Sequence, residues 1–253
     1  MIDPFGEPTD SIRSVFDAHR QRRDEQQRTL LLSQHNVQPD ILLSRILHTN
    51  DWSLDQRYNL SFVIRPPPHI ISLVNSFQER LLTLAGDSIW CPEPHALHMT
   101  IYEVTHSRTS DDLELYLNRI RQHREGLFDL PFDKVTLDAP LVNFDASAVA
   151  FSFLPLDSPY SYQHLRSDVF QRLSKIGVTW EGRYILPSAH ITIARFISTD
   201  FLQATTMQKW VELIDQLSAE CEDSKETWNL GEGIAEISTG RSWYGHGPGW
   251  YTV

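Results

Sequence analysis

The strongest constraint on the fold of this chain is a short motif that occurs twice: a histidine, an apolar residue and a threonine, followed by isoleucine. The first copy contains His98 and Thr100, and the second contains His190 and Thr192. Each copy lies in a run with strand propensity, and successive side chains of a strand point to opposite faces at a rise of about 3.3 Å per residue. We therefore expect the histidine and threonine of each copy to share one face while the apolar residues face a core.

The two motifs belong to a longer repeat. His98 and His190 are separated by 92 residues, and the same offset aligns three apolar pairs, Leu73 with Leu165, Leu81 with Leu173 and Leu84 with Ile176. The predicted elements recur in the order strand, helix, motif strand, helix. Two related halves commonly pack about a pseudo-twofold axis, which places equivalent residues opposite each other. The sequence therefore predicts two related halves, about 58–144 and 147–253, that place their two motifs opposite each other.

Hydrophobic periodicity, turn residues and caps predict the remaining elements of the 58–253 domain. We expect strands at 58–65, 132–144, 147–154, 228–237 and 241–253, and helices at 70–84, 110–125 (with Ser110 as N-cap), 160–176 and 200–219. Residues 1–57 are predicted to form a helical extension, with helices at 11–28 and 40–47. The arginine cluster at 20–25 is interpreted as a solvated helix face rather than a nucleic-acid patch.

Composition limits the classes of partner. Acidic residues outnumber basic ones by 33 to 22, giving a formal net charge of −11. A protein that grips long nucleic acid normally has an excess of Lys and Arg, so we expect no long duplex as a partner. A nucleotide or a single RNA end in a local pocket remains compatible with this charge. We expect a monomer.

Other features bear on location and on cysteine chemistry. No run approaches the length of about eighteen apolar residues that a membrane-spanning helix needs, so no membrane association is expected. The first residues lack the basic and then apolar pattern of a secretory signal, which favours an intracellular protein, cytoplasmic or nuclear. Cys91 and Cys221 are far apart and without metal-type spacing, so both are predicted to be free thiols.

Of the eleven histidines, only these two are followed at the second position by Ser or Thr. In this the chain resembles the two-histidine (2H) phosphoesterase superfamily, whose mark is a pair of His-x-Thr/Ser motifs followed by an apolar residue. The resemblance covers about 58–253 and leaves the first 57 residues unexplained. It implies a bilobal α+β fold in which each lobe has an antiparallel sheet flanked by helices and both motifs face a central cleft. It also implies cleavage of phosphodiester bonds without metal, most often at a 2′,3′-cyclic phosphate or an RNA 3′ end.

The residue types suit that chemistry. Hydrolysis of a cyclic phosphodiester needs a base that takes a proton from water and an acid that protonates the leaving ribose oxygen. Imidazole, with an unperturbed pKa near 6.5, can serve as either near neutral pH. We therefore predict His98 and His190 as the acid–base pair, with neither role assigned, and Thr100 and Thr192 as hydrogen-bond donors to the phosphate. No third ligand stands at metal spacing beside either motif, so no metal or other cofactor is predicted.

Three secondary candidates accompany the motifs. Tyr184 lies where some 2H members carry a nucleotide-contacting tyrosine; stacking on a base and covering the core are both open roles. Strand alternation places Arg195 on the face away from His190, which favours a structural ion pair over phosphate binding. The stretch at 240–251, rich in glycine and aromatics, is predicted as a terminal hairpin from which Trp243 or Tyr244 could reach the cleft.

Two other functions remain open at this stage. The first is an RNA 3′-end exonuclease of the same superfamily, which the acidic net charge disfavours. The second is a non-catalytic module that binds or anchors a nucleotide. Two complete motifs argue against the module, because binding alone does not require two proton-transfer groups.

Overall fold

The structure, a computed structural model, describes residues 3–6, 11–34, 37–123, 125–127, 129–182, 186–200, 204–240, 244 and 250–252. Within these residues the fold is α+β, as predicted. The helices are α1 (Ile12–Gln34), α2 (Ile41–Thr49), α3 (Pro68–Ala85), α4 (Ser110–Gln122), α5 (Tyr162–Lys175) and α6 (Ala204–Ser224). The strands are β1 (Tyr58–Arg65), β2 (Ile89–Trp90), β3 (Met99–Arg108), β4 (Thr136–Phe144), β5 (Ala148–Pro155), β6 (Ala189–Phe196), β7 (Trp228–Asn229), β8 (Ile234–Gly240) and β9 (Trp250–Thr252).

All the described strands belong to one antiparallel sheet, whereas the family resemblance implies two. The order is β7-β4-β5-β6-β3-β1-β8-β9, and the short β2 pairs with β6. Two groups of four strands meet where β6 lies beside β3, and a single residue pair, Met99 with Ile191, joins them. The two groups form one sheet because the motif strands β3 and β6 pair with each other. Without this pairing each of them would be an unpaired edge strand of a separate sheet.

The strand groups cut across the predicted lobes of residues 58–144 and 147–253. Strand β4 pairs with β5, from the other predicted half, because a tight turn at 145–147 folds the two into a hairpin. Strand β8 returns from near the C-terminus to pair with β1 over seven residue pairs. A common origin of the two halves stays a prediction.

The helices follow from their apolar periodicity and their caps. Helix α3 buries one stripe at the predicted period, including Ile70, Val74 and Phe77, and ends at Gly86, whose φ of +52° suits glycine. Helix α4 begins one residue earlier than expected at its cap. The N-cap is Thr109, not Ser110. The Thr109 hydroxyl accepts a hydrogen bond from the Asp112 amide, and the Asp112 carboxylate accepts one from the Thr109 amide, so the two residues form a capping box.

The N-terminal extension is part of the main core. Ile12, Phe16 and Leu31 of α1 are at most 9% exposed, and the Phe16 ring meets Tyr162 of α5 edge to face at 5.9 Å. The sequence predicts this helix to be largely solvated, because Ile12, Val15 and Phe16 give it only a short apolar stripe. Packing against α5 and the sheet buries that stripe all the same.

Two smaller expectations concern membranes and thiols. In the part of the chain that the structure describes, no helix combines the length and the apolar character that crossing a bilayer requires. Cys91 and Cys221 are both free, as predicted.

Candidate active site

The pairing of β3 with β6 brings the two motifs together. Met99 lies opposite Ile191 in antiparallel register. His98 therefore lies across from Thr192, and Thr100 lies across from His190. Each histidine therefore stands near the threonine of the other motif. Met99 and Ile191 are fully buried on the opposite face, as alternation predicts. His98, Thr100, His190 and Thr192 all line one cavity of about 210 Å³.

Both imidazoles are held through Nδ1 by the residue two positions earlier. Nδ1 of His98 lies 2.8 Å from the Ala96 carbonyl oxygen, to which it can only donate. Nδ1 of His190 lies 2.9 Å from the Ser188 hydroxyl. Ala96 and Ser188 are themselves 92 residues apart, so the orienting contact recurs at equivalent positions. Fixing Nδ1 sets the ring orientation and assigns Nε2 as the nitrogen that meets a substrate.

The surroundings favour the neutral form of both histidines. The pKa of His98 is lowered to about 4, mainly because the cleft walls remove water from the ring; the Ala96 carbonyl opposes this shift, and the charges of Arg65 and Arg195 add to it. Loss of water also lowers the pKa of His190 to about 4, followed by repulsion from Arg23. An anionic substrate would oppose these shifts, because negative charge stabilises an imidazolium.

A β-bulge in each motif strand changes which side chains face the cleft. In β6, Thr192 and Ala194 oppose neighbouring residues of β5, which leaves Ile193 as the extra residue. In β3, Thr100 and Tyr102 oppose neighbouring residues of β1, which leaves Ile101 in the same position. One extra residue reverses the alternation beyond it. The two bulges lie 92 residues apart, the same offset as the motifs.

The expected position of Arg195 is therefore wrong. After the bulge, Arg195 returns to the face of His190 and Thr192 and lines the cavity. The structural ion pair expected for it is absent among the described residues; its guanidinium instead lies over the Tyr244 ring, 5.7 Å from the centroid. Glu103, the equivalent residue of β3, lines the same cavity. The two halves thus contribute opposite charges to one site.

Trp90 and Tyr244 form an aromatic wall of the cavity. Their rings meet edge to face at 6.0 Å. The Tyr244 hydroxyl donates to Asp40 at 2.8 Å and accepts from Arg57 at 2.8 Å, which fixes the ring. Tyr244 thus reaches the cleft, one of the two options left open by the sequence. Trp243 and Tyr184 lie outside the described residues.

The cavity offers proton transfer and anion binding. Its lining includes the imidazoles of His98 and His190, the hydroxyls of Thr100 and Thr192 and the guanidinium of Arg195. These groups can bind a phosphate and move protons around it. Within the described ranges, no group of three or more His, Cys, Asp or Glu side chains could hold a metal ion.

Sequence reasoning missed three contributors to this cavity. Ser188 could have been noticed in the sequence, because it stands two residues before His190. Its contact with Nδ1 depends on the orientation of the His190 ring, which the sequence does not show. Arg195 was assigned to the wrong face, since a bulge between ordinary residues has no clear sequence mark. Trp90 comes from the segment before β3, and its position depends on the pairing of β2 with β6.

Comparison with known proteins gives structural similarity only. No protein-family model and no curated protein matches the chain. A conserved protein of unknown function from Agrobacterium tumefaciens superposes with a TM-score of 0.59 at 11% identity, covering 88% of this chain and 96% of that one. This likeness supports the α+β fold.

Two nucleotide complexes are also similar, at lower scores. Kluyveromyces marxianus Usb1 with uridine monophosphate gives a TM-score of 0.41 at 16% identity, covering 78% of this chain and 97% of that one. Escherichia coli LigT complexed with 3′-AMP gives 0.37 at 15% identity, covering 55% and 73%.

Proposed function

We propose that this chain is a metal-independent phosphodiesterase that hydrolyses 2′,3′-cyclic phosphates of nucleotides or RNA ends by two-histidine acid–base catalysis. The observation that carries the proposal is the pairing of Met99 with Ile191, which turns two separate His-x-Thr motifs into one site. The resemblance of these motifs to those of the 2H phosphoesterases supports the same chemistry.

In the proposed reaction, the neutral imidazole of one histidine takes a proton from water through Nε2, and the resulting hydroxide attacks phosphorus. The imidazolium of the other histidine gives its proton to the ribose oxygen as the P–O bond breaks. The products are a phosphomonoester and a free ribose hydroxyl. The acid and base exchange roles in the reverse direction, which fits the similar environments of His98 and His190.

The remaining groups stabilise the charge that develops on the phosphate. The Thr100 and Thr192 hydroxyls donate to the non-bridging oxygens from diagonal positions. The Arg195 guanidinium supplies a permanent positive charge and several N–H donors on the His190 side of the cavity. Trp90 and Tyr244 offer an aromatic surface for the nucleoside.

The test is hydrolysis of the four 2′,3′-cyclic mononucleotides in the presence of EDTA, with products followed by anion-exchange chromatography. We expect turnover in the wild type. His98→Ala and His190→Ala should each lower kcat by about 10²–10⁴-fold, the usual contribution of one general acid or base. His69→Ala is the matched control, because His69 is an exposed histidine outside the cavity.

Three results would contradict the proposal. Full activity of either alanine variant would exclude the paired mechanism. Turnover that EDTA abolishes and a divalent metal restores would show a metal-dependent enzyme. Nucleotide binding without turnover, measured by calorimetry, would favour the non-catalytic module.

A further inference from the structure

A second cavity, of about 570 Å³, opens beside the first. The two share His190, Thr192 and Arg195 in their walls, so the second adjoins the candidate active site. Small-molecule sites commonly measure roughly 300–1,000 Å³. The first cavity, at about 210 Å³, lies below that range and the second lies within it. A ligand with its phosphate between the two histidines can therefore extend into the second cavity.

The N-terminal extension forms one wall of this second cavity. Five residues of α1 line it: Phe16, His19, Arg20, Arg23 and Asp24. Their spacing is three, four, seven and eight residues from the first, which is one face of a helix. Part of the arginine cluster that the sequence suggests to be solvated therefore faces a cavity. Arg22, between these positions, is exposed and does not line it.

The cations on this face are held in place. Arg23 donates to the Asp145 carboxylate, which also accepts from the amide and hydroxyl of Ser147 at 2.8 Å each. These hydrogen bonds help hold the pKa of Asp145 below its usual value despite its burial, so it keeps its charge. Arg20 is fixed by the Ala139 carbonyl at 2.6 Å.

Arg23 keeps capacity for a further anion. A guanidinium has five N–H donors, and the Asp145 contact uses one terminal nitrogen of Arg23. The side chain remains 44% exposed. The charge of Arg23 also acts on the active site: among charged residues, Arg23 contributes most to lowering the pKa of His190. A fixed guanidinium next to a phosphodiesterase centre suits a second phosphate of the same ligand.

We propose that this second cavity is a binding site for the nucleotide that precedes the reacting one in an oligonucleotide, with Arg23 contacting the phosphodiester between them. The inference rests on the proposed function. It assigns the N-terminal extension a role in substrate selection: an RNA end that fills both cavities is preferred to a free cyclic mononucleotide.

The experiment compares kcat/KM for two substrates with the same terminal 2′,3′-cyclic nucleotide, a mononucleotide and a dinucleotide. We expect the wild type to prefer the dinucleotide at least tenfold, and Arg23→Ala to lower that ratio towards one. Arg22→Ala removes the same charge from the same helix and should keep the wild-type ratio. Because both substrates are measured in one buffer, any change in the pKa of His190 cancels in the ratio. Thermal unfolding of each variant verifies the fold.

The outcomes separate the inference from the function on which it rests. No turnover of either substrate by the wild type would overturn the proposed function. Turnover with equal kcat/KM for the two, or an unchanged ratio in Arg23→Ala, would overturn the second site alone. A dinucleotide with an uncharged methylphosphonate linkage should lose the preference. If it keeps the preference, the contact between Arg23 and the phosphate is overturned.

Discussion

The two motif strands share a design and differ in charge. Both β3 and β6 present histidine and threonine on one face, hold the histidine through the residue two positions earlier, and carry a bulge directly after the threonine. They differ in what makes those contacts: a backbone carbonyl at Ala96 against a hydroxyl at Ser188. Beyond the bulge, Glu103 stands in one strand and Arg195 in the other. The shared features place the reactive groups. The differing ones give the two sides of the cleft opposite charges, so that an anion is attracted to the side of Arg195 and repelled by Glu103.

The largest expected effect tests what the two halves share, the lowered pKa of both histidines. Catalysis needs one neutral and one protonated imidazole. With both pKa values near 4 in the ligand-free protein, that form is most abundant near pH 4 and declines about tenfold per pH unit above it. We therefore expect kcat/KM to fall about 100-fold between pH 5 and 7.

The profile of kcat provides the internal control. It reports the enzyme–substrate complex, in which the phosphate raises the pKa of the acid. The descending limb of kcat should therefore lie at higher pH than that of kcat/KM. Coincident limbs, or a kcat/KM constant from pH 5 to 7, would show that the free histidines are not held neutral as the structure indicates.

The next effect tests the difference in charge. Arg195→Ala should lower kcat/KM roughly 10- to 150-fold, the equivalent of one hydrogen bond to a charged group, about 1.5–3 kcal/mol. Glu103→Gln, at the matching position, removes a negative charge from the cleft and should lower KM for the anionic substrate. Initial rates over a range of substrate concentrations measure both changes.

Conservative variants make this comparison sharper. Arg195→Lys keeps the charge without the planar donor geometry and should recover part of the lost activity. Thermal unfolding separates loss of the contact with the Tyr244 ring from loss of substrate binding. Equal losses in Arg195→Ala and Glu103→Gln would mean that the two residues serve only to support the strands.

Local patterns in the sequence predict the motif faces well. The alternation of His98 and Thr100 with buried Met99 follows from strand geometry alone, and the structure confirms it. The prediction failed for Arg195 three residues after Thr192. The bulge at Ile193 depends on the pairing with β5, which is a long-range property.

The arrangement of the sheet and of the extension is also a long-range property. The pairing of β8 with β1 joins residues that are 169 to 181 positions apart, so nothing local distinguishes one sheet from two. The charged residues of α1 match a solvated helix in composition. The direction of Arg23 depends on its ion pair with Asp145, which lies 122 residues further along the chain.

The smallest expected effect tests the contact at Ser188. Ser188→Ala removes the hydroxyl beside Nδ1 of His190, whereas the backbone carbonyl that holds His98 has no side-chain equivalent to remove. Loss of one neutral hydrogen bond, about 0.5–1.5 kcal/mol, should lower kcat roughly 2- to 12-fold. KM should change less, because the ring loses orientation and the phosphate keeps its other contacts. Ser188→Thr restores a hydroxyl and should recover the rate; failure to recover it would mean that Ser188 acts through loop packing instead of through the imidazole.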